Sequence, residues 1–141
     1  MPELSVAEAR VLYNTVVALE TEALTQRPPA ESELNQLTSL NLAFAGTKGA
    51  EQRFRADMAF HEILTGYYRN TAVAQLLEDL KIRIYLYERT YLETADNVAA
   101  SVQLHAQIIA SLQQNDLPKA IAALRQNWLN IDPILQAAGL Q

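Results

Sequence analysis

The sequence predicts an all-α fold, an antiparallel bundle of about six helices around a central ligand cavity. Three observations carry that reading. Apolar residues recur at helical spacing through every long segment, no stretch sustains the alternation of a half-buried strand, and proline- or glycine-bearing breaks divide the chain into pieces of helix length. A chain of 141 residues ordinarily forms one domain with one core, so residues 1–141 are read as a single unit.

Ser5 with Glu8 three residues on has the form of a capping box, and Ala9, Leu12, Val16, Leu19 and Ala23 then make one stripe. Arg10, Asn14 and Val17 lie beside that stripe. The first helix runs to about Gln26, where Arg27-Pro28-Pro29 stops it. A second helix, entered through Ala30-Glu31-Ser32, carries Leu34, Leu37, Asn41 and Phe44 and gives way to Gly46-Thr47-Lys48-Gly49. The third holds Asp57 and His61 and ends near Gly66, and Asn70 reads as the N-cap of the fourth. In that fourth helix Val73, Leu76, Leu80, Ile84, Tyr87 and Tyr91 form the inner stripe, with Arg83 on its border. The pattern breaks at Thr94 to Asn97. A fifth helix bearing His105 follows to about Gln114, and Asn115-Asp116-Leu117-Pro118 starts a sixth with Leu117, Ile121, Leu124 and Trp128. Pro133 ends or kinks it, leaving Ile134 to Leu140 as a short tail.

Composition narrows the function. Without cysteine the chain has neither a disulfide framework nor a thiolate metal site, so any metal must use oxygen and nitrogen ligands. A net charge of -5 with only three lysines makes the chain by itself a poor partner for nucleic acid. No apolar run approaches the roughly 18 residues of a membrane span, and the N-terminus lacks a signal-peptide pattern, which predicts a soluble, cytoplasmic protein without a membrane partner. Four scattered glycines cannot build a phosphate-cradling loop. Nor is there a serine in a G-x-S-x-G turn, or the Glu-x-x-His motif of a di-iron carboxylate site.

The stretch from Arg53 to Thr65 carries the chemistry. Residues four apart stack on one helix face, so Asp57 and His61 project together, flanked by Phe54, Met58 and Leu64. A carboxylate and an imidazole therefore point along an apolar stripe, where burial demands a polar partner or a metal. His105, the only other histidine, lies on the stripe of Val98, Val102, Ile109 and Leu112. Two inward histidines from separate helices and one inward aspartate predict one buried site. Each also has a plainer reading: a carboxylate–imidazole hydrogen bond for Asp57 with His61, a satisfied core residue for His105, a surface cation for Arg10, and a packing anchor for Trp128.

Together these residues resemble the FCD domain, the C-terminal effector-binding domain of FadR-type regulators in the GntR family of transcription regulators. The resemblance rests on Glu8-Ala9-Arg10, on Asp57-x-x-x-His61 with Phe54 and Phe60, and on Asn70. It continues through His105-x-x-Ile108-Ile109-x-x-Leu112, Asn115-Asp116, Ala120 and Asn127-Trp128-Leu129. It implies a divalent metal, zinc, nickel or similar, with Asp57, His61 and His105 as ligands. At the position of a fourth, histidine ligand this chain has Asn127, and it has Asn14 where the family commonly has glutamate. The resemblance further implies a small organic acid as effector, with Arg10 and Asn127 as candidate contacts; Arg83, on the border of the fourth helix, is a further candidate. A homodimer is expected, with DNA reached only through a winged-helix domain that these residues do not include. The reading is thus a non-enzymatic ligand-sensing and dimerisation domain. The alternatives are a small metal-dependent enzyme acting on a carboxylate, and a ligand-free structural dimerisation domain.

Overall fold

The computed structural model describes residues 3–140, and among them every regular element is helical. The elements are α1 (Val6–Gln26), α2 (Glu31–Ala45), α3 (Ala50–Leu64), α4 (Ala72–Glu88), α5 (Ala95–Gln113), α6 (Leu117–Leu129) and α7 (Asp132–Ala137), with single 3-10 turns at Gly66–Tyr68 and Tyr91–Glu93. Six helices are those expected. The seventh replaces the expected tail: Pro133 sits in its first turn, where a missing N–H costs nothing, and Ile134 and Leu135 are buried.

The ends of the helices show why the segments stop and start where they do. Ser5 Oγ accepts the Glu8 N–H at 3.0 Å, one arm of the expected capping box. The return arm is different: the Ser5 N–H donates to Tyr87 Oη, while the Glu8 carboxylate is held by Tyr87 and Arg83 of α4. Asn70 is not the cap of α4. Thr71 takes that position, and Asn70 adopts φ 64°, a left-handed conformation asparagine tolerates in a tight connection. Asp116 caps α6 by accepting the Lys119 N–H at 3.1 Å.

Helix α5 packs against α6 and α2, α2 also against α3, and α1 against α6 and α4. Ala9, Val16, Ala23, Leu24, Leu37, Phe60, Ile84, Ile108 and Leu124 are among the fully enclosed residues of the main core. The α4 face is turned from the expected one. Leu77, Lys81, Ile84 and Tyr87 point inward, whereas Leu76 is exposed, because a buried ion pair at Lys81 sets the rotation of the helix.

Candidate metal centre

Two helices, α3 with Asp57 and His61 and α5 with His105, bring these residues to one point, with their ligand atoms all within 4.8 Å of one another. Asp57 Oδ1 lies 3.4 Å from His61 Nε2 and 3.0 Å from His105 Nε2. Both imidazoles are completely buried, and the Asp57 side chain is mostly so. The face-to-face stacking of Phe60 on His105, with ring centroids 3.9 Å apart, fixes one ring plane. Sequence spacing alone accounts for this part, since all three residues sit on inward stripes.

Each imidazole is oriented from behind. His61 Nδ1 donates to Glu20 Oε1 at 2.8 Å, and that oxygen also accepts the Trp128 indole N–H at 2.6 Å. Lys81 Nζ approaches the other Glu20 oxygen at 2.6 Å. His105 Nδ1 lies 3.0 Å from Asn41 Oδ1, and Asn41 spends its amide N–H on the Val102 carbonyl. The asparagine therefore offers only its oxygen, so His105 Nδ1 must be the donor and its Nε2 carries a lone pair. Burial lowers the His105 pKa, which keeps the ring neutral. That lone pair faces an ionised carboxylate oxygen, and neither atom has a hydrogen-bond partner.

Two opposed lone pairs in a buried site are costly unless a cation lies between them. The two separations from Asp57 Oδ1 to the imidazoles also suit one. A metal bonded at about 2.0 to 2.1 Å to nitrogen and oxygen sets neighbouring donors about 3.0 to 3.4 Å apart, depending on geometry. Two imidazole nitrogens and a carboxylate oxygen are a donor set for zinc, nickel or a similar divalent ion, and the donation of each Nδ1 to an oxygen is the arrangement that usually supports a metal-bound imidazole. The residues present fit the group.

Charge is tightly organised here. Burial opposes charge on His61, but the carboxylates of Glu20 and Asp57 outweigh it and raise the imidazole to about 9. Burial likewise opposes charge on Glu20, yet His61 and Lys81 hold it down to about 2. Asp57 is also held well below the carboxylate range, because the His61 charge overcomes its burial. Glu88 goes the other way: burial and then the Asp57 charge push it up to about 8. Its Oε2 accepts the Tyr13 hydroxyl at 3.0 Å.

A cavity of about 50 Å³ adjoins the centre, lined by Asp57, Glu88, Tyr91, Asn127 and Trp128 among others. Asn127 Nδ2 lies 3.4 Å from His61 Nε2, so the residue in the fourth-ligand position does sit beside the triad. The two arginines are elsewhere. Arg10 is exposed on α1, and Arg83 grips Glu8 through Nη2 at 2.8 Å and Nε at 3.1 Å, raising its own pKa; neither lines this cavity. Trp128 is a buried core residue whose indole braces the Glu20 carboxylate.

Sequence reasoning missed Glu20, Lys81 and Glu88, and it placed Asn41 on a stripe without giving it a role. The one available signal was position: Glu20 falls four residues after Val16 and three before Ala23 on the buried face of α1.

The family model of the FCD domain matches residues 11–129. No curated protein and no solved structure matches the chain.

Proposed function

Because this chain belongs to the FCD domain family, whose members are effector-binding domains of GntR-family transcription regulators, we propose that it senses a small organic acid on a divalent metal held by Asp57, His61 and His105. One observation supports the reading above the rest: two imidazoles, each fixed by an oxygen behind it, present Nε2 to a single carboxylate oxygen at 3.0 and 3.4 Å. The bound metal supplies positive charge and free coordination positions for a carboxylate. Asn127, beside His61, is a neutral neighbour able to hydrogen-bond that carboxylate or to turn its amide oxygen toward the metal. Arg10 and Arg83 reach the acid only after a rearrangement, which for Arg83 includes releasing Glu8.

The same reading explains how occupancy becomes a signal. A cavity of about 50 Å³ is far below the roughly 300 to 1,000 Å³ of ordinary small-molecule pockets, so an acid enters by pushing outward the 3-10 turn at Tyr91 and the α6–α7 corner that wall it. The chain acts as a homodimer, with exposed Val11 on α1 and Leu76 and Ile82 on α4 available as apolar contacts, and the wall movement alters how the two copies sit. DNA binding belongs to a winged-helix domain outside these residues. Calorimetric titration of metal-stripped protein with zinc or nickel, then of the loaded protein with a panel of small mono-, di- and tricarboxylates, tests the proposal. Metal binding lost on His105→Ala, and acid binding that requires the metal, are expected. Acids that bind equally well without metal would overturn it, and sedimentation showing a monomer at micromolar concentration would overturn the dimer.

A further inference from the structure

A second cavity, of about 320 Å³, lies between the end of α2, the start of α3 and the first turns of α5. Its walls are mostly apolar, with Ala45, Val98, Ala99 and Val102 along them, and Arg53 is the one charged residue lining it. Arg53 is 9% exposed, which is unusual for a guanidinium without a counter-ion. Its Nη1 donates to the Leu92 carbonyl at 2.5 Å, and its Nε–H has no partner. Among the described residues no carboxylate lies within ion-pair distance of it. The exposed acids nearby in sequence, Glu93 and Asp96, do not line the cavity.

We propose that this cavity is a binding site for an amphipathic carboxylate, separate from the metal centre, with Arg53 holding the head group and the α5 wall holding the tail. The chemistry follows from which donors are already used. With Nη1 committed to Leu92, the guanidinium retains the edge formed by Nε–H and the neighbouring Nη2–H, and that edge matches the two oxygens of a carboxylate. A buried cation lacking a counter-ion is costly, and an anionic head group removes that cost. Helix α5 also begins here without a side-chain cap, so the partial positive charge of its N-terminus acts in the same sense. An inorganic anion would leave the walls of Val98, Ala99 and Val102 in water, whereas a tail of several carbons covers them.

The test uses metal-stripped, desalted full chain and follows the Arg53 Nε–H resonance by NMR during titration with octanoate, acetate, octanol and inorganic phosphate. Octanoate should shift it saturably, while acetate, phosphate and octanol fail to saturate over the same range. Arg53→Gln should weaken octanoate binding about tenfold or more, the loss expected for a charge-assisted hydrogen-bonding partner. Should that variant misfold, Ala99→Trp, a change at an exposed wall position, fills the cavity with Arg53 in place and should abolish the shift. A Trp128 indole resonance that moves while Arg53 stays still would place octanoate at the metal-side cavity and overturn the proposal. So would octanol binding as well as octanoate, or an Ala99→Trp protein that still responds. Since no metal is present, failure here leaves the metal-centre reading standing, and failure of metal binding leaves this one standing.

Discussion

Glu20→Gln is the most informative single change at the metal centre, because Glu20 connects three buried donors at 2.8, 2.6 and 2.6 Å: His61, Trp128 and Lys81. Removing the charge strands the Lys81 ammonium in the core, and breaking a buried ion pair in this way costs about 3 to 5 kcal/mol. For a chain of this length that corresponds to a Tm lowered by about 10 to 20 °C in metal-free protein. The effect on metal uptake is separable. In the wild type His61 is raised to about 9, so at pH 7.5 it is protonated and must release that proton to become a ligand. Proton competition then weakens binding about 30-fold, since pH 7.5 lies about 1.5 units below the His61 value. Glu20→Gln removes the larger of the two charges that raise His61, so proton release per metal should fall well below the wild-type value of about one or more. Loss of the group that orients His61 should meanwhile weaken intrinsic affinity about 10- to 100-fold, seen most clearly at pH 9 where the competition fades. Calorimetric titration with zinc in two buffers of different ionisation enthalpy reads the proton count directly. Wild-type protein that takes up metal at pH 7.5 without releasing a proton, or a variant within about 1 kcal/mol of wild-type stability, would refute the reasoning.

Further outcomes follow from the same geometry. Metal-free protein should be most stable between about pH 4.5 and 6.5. His61, raised to about 9, contributes stability that is complete below its unfolded value and lost as pH rises, while Glu20, lowered to about 2, contributes stability lost as pH falls from 4.5, and melts across pH 3 to 9.5 check both limbs. Asn127→His should tighten zinc or nickel binding about 10- to 100-fold by adding an imidazole beside His61, and without metal it should cost about 1 to 3 kcal/mol. Melts with and without metal compare the two, and no metal-dependent gain would count against the centre. Asn41→Leu leaves the His105 Nδ1–H without its acceptor, so it should destabilise metal-free protein by about 1 to 3 kcal/mol and weaken metal binding; unchanged zinc affinity in a titration would show that Asn41 does not orient the ring. Glu88→Gln, which removes a second carboxyl from the small cavity, should strengthen organic-acid binding to metal-loaded protein, as read by the same titration.

Much of the fold was legible because apolar periodicity reports which face of each helix is buried, and α1, α2, α5 and α6 obey it, while α3 buries Arg53 and Phe60 and leaves Phe54 and Met58 half-buried. It misled at α4 for a physical reason. A pattern of apolar and polar residues assigns lysine to solvent, yet Lys81 is buried because Glu20, on another helix, neutralises it, and that partner is invisible from local spacing. Leu76 pays by facing water. The site divides in the same way. Asp57, His61 and His105 could be read from the sequence, being polar groups on inward stripes. Asn127 was found only through the resemblance, since nothing about an asparagine near a helix end distinguishes it. The groups that orient the imidazoles are separated from them by long stretches of chain, 41 residues for Glu20 with His61 and 64 for Asn41 with His105. No window of sequence holds both members of either pair.

The charge balance gives a reason for metal and acid to bind cooperatively under the proposed function. Without metal the buried cluster is neutral, the carboxylates of Glu20 and Asp57 being matched by protonated His61 and the Lys81 ammonium. A divalent ion adds two positive charges and expels one proton from His61, so the loaded centre carries one uncompensated positive charge in a poorly solvated place. Two groups can remove it. Glu88, held neutral up to about 8 by burial and by the Asp57 charge, can ionise once the metal screens Asp57. A monocarboxylate entering the same cavity does the same without that ionisation. Effector and Glu88 therefore compete for one compensating role, and the acid should bind best at a pH low enough to keep Glu88 protonated yet high enough for His61 to yield its proton to the metal.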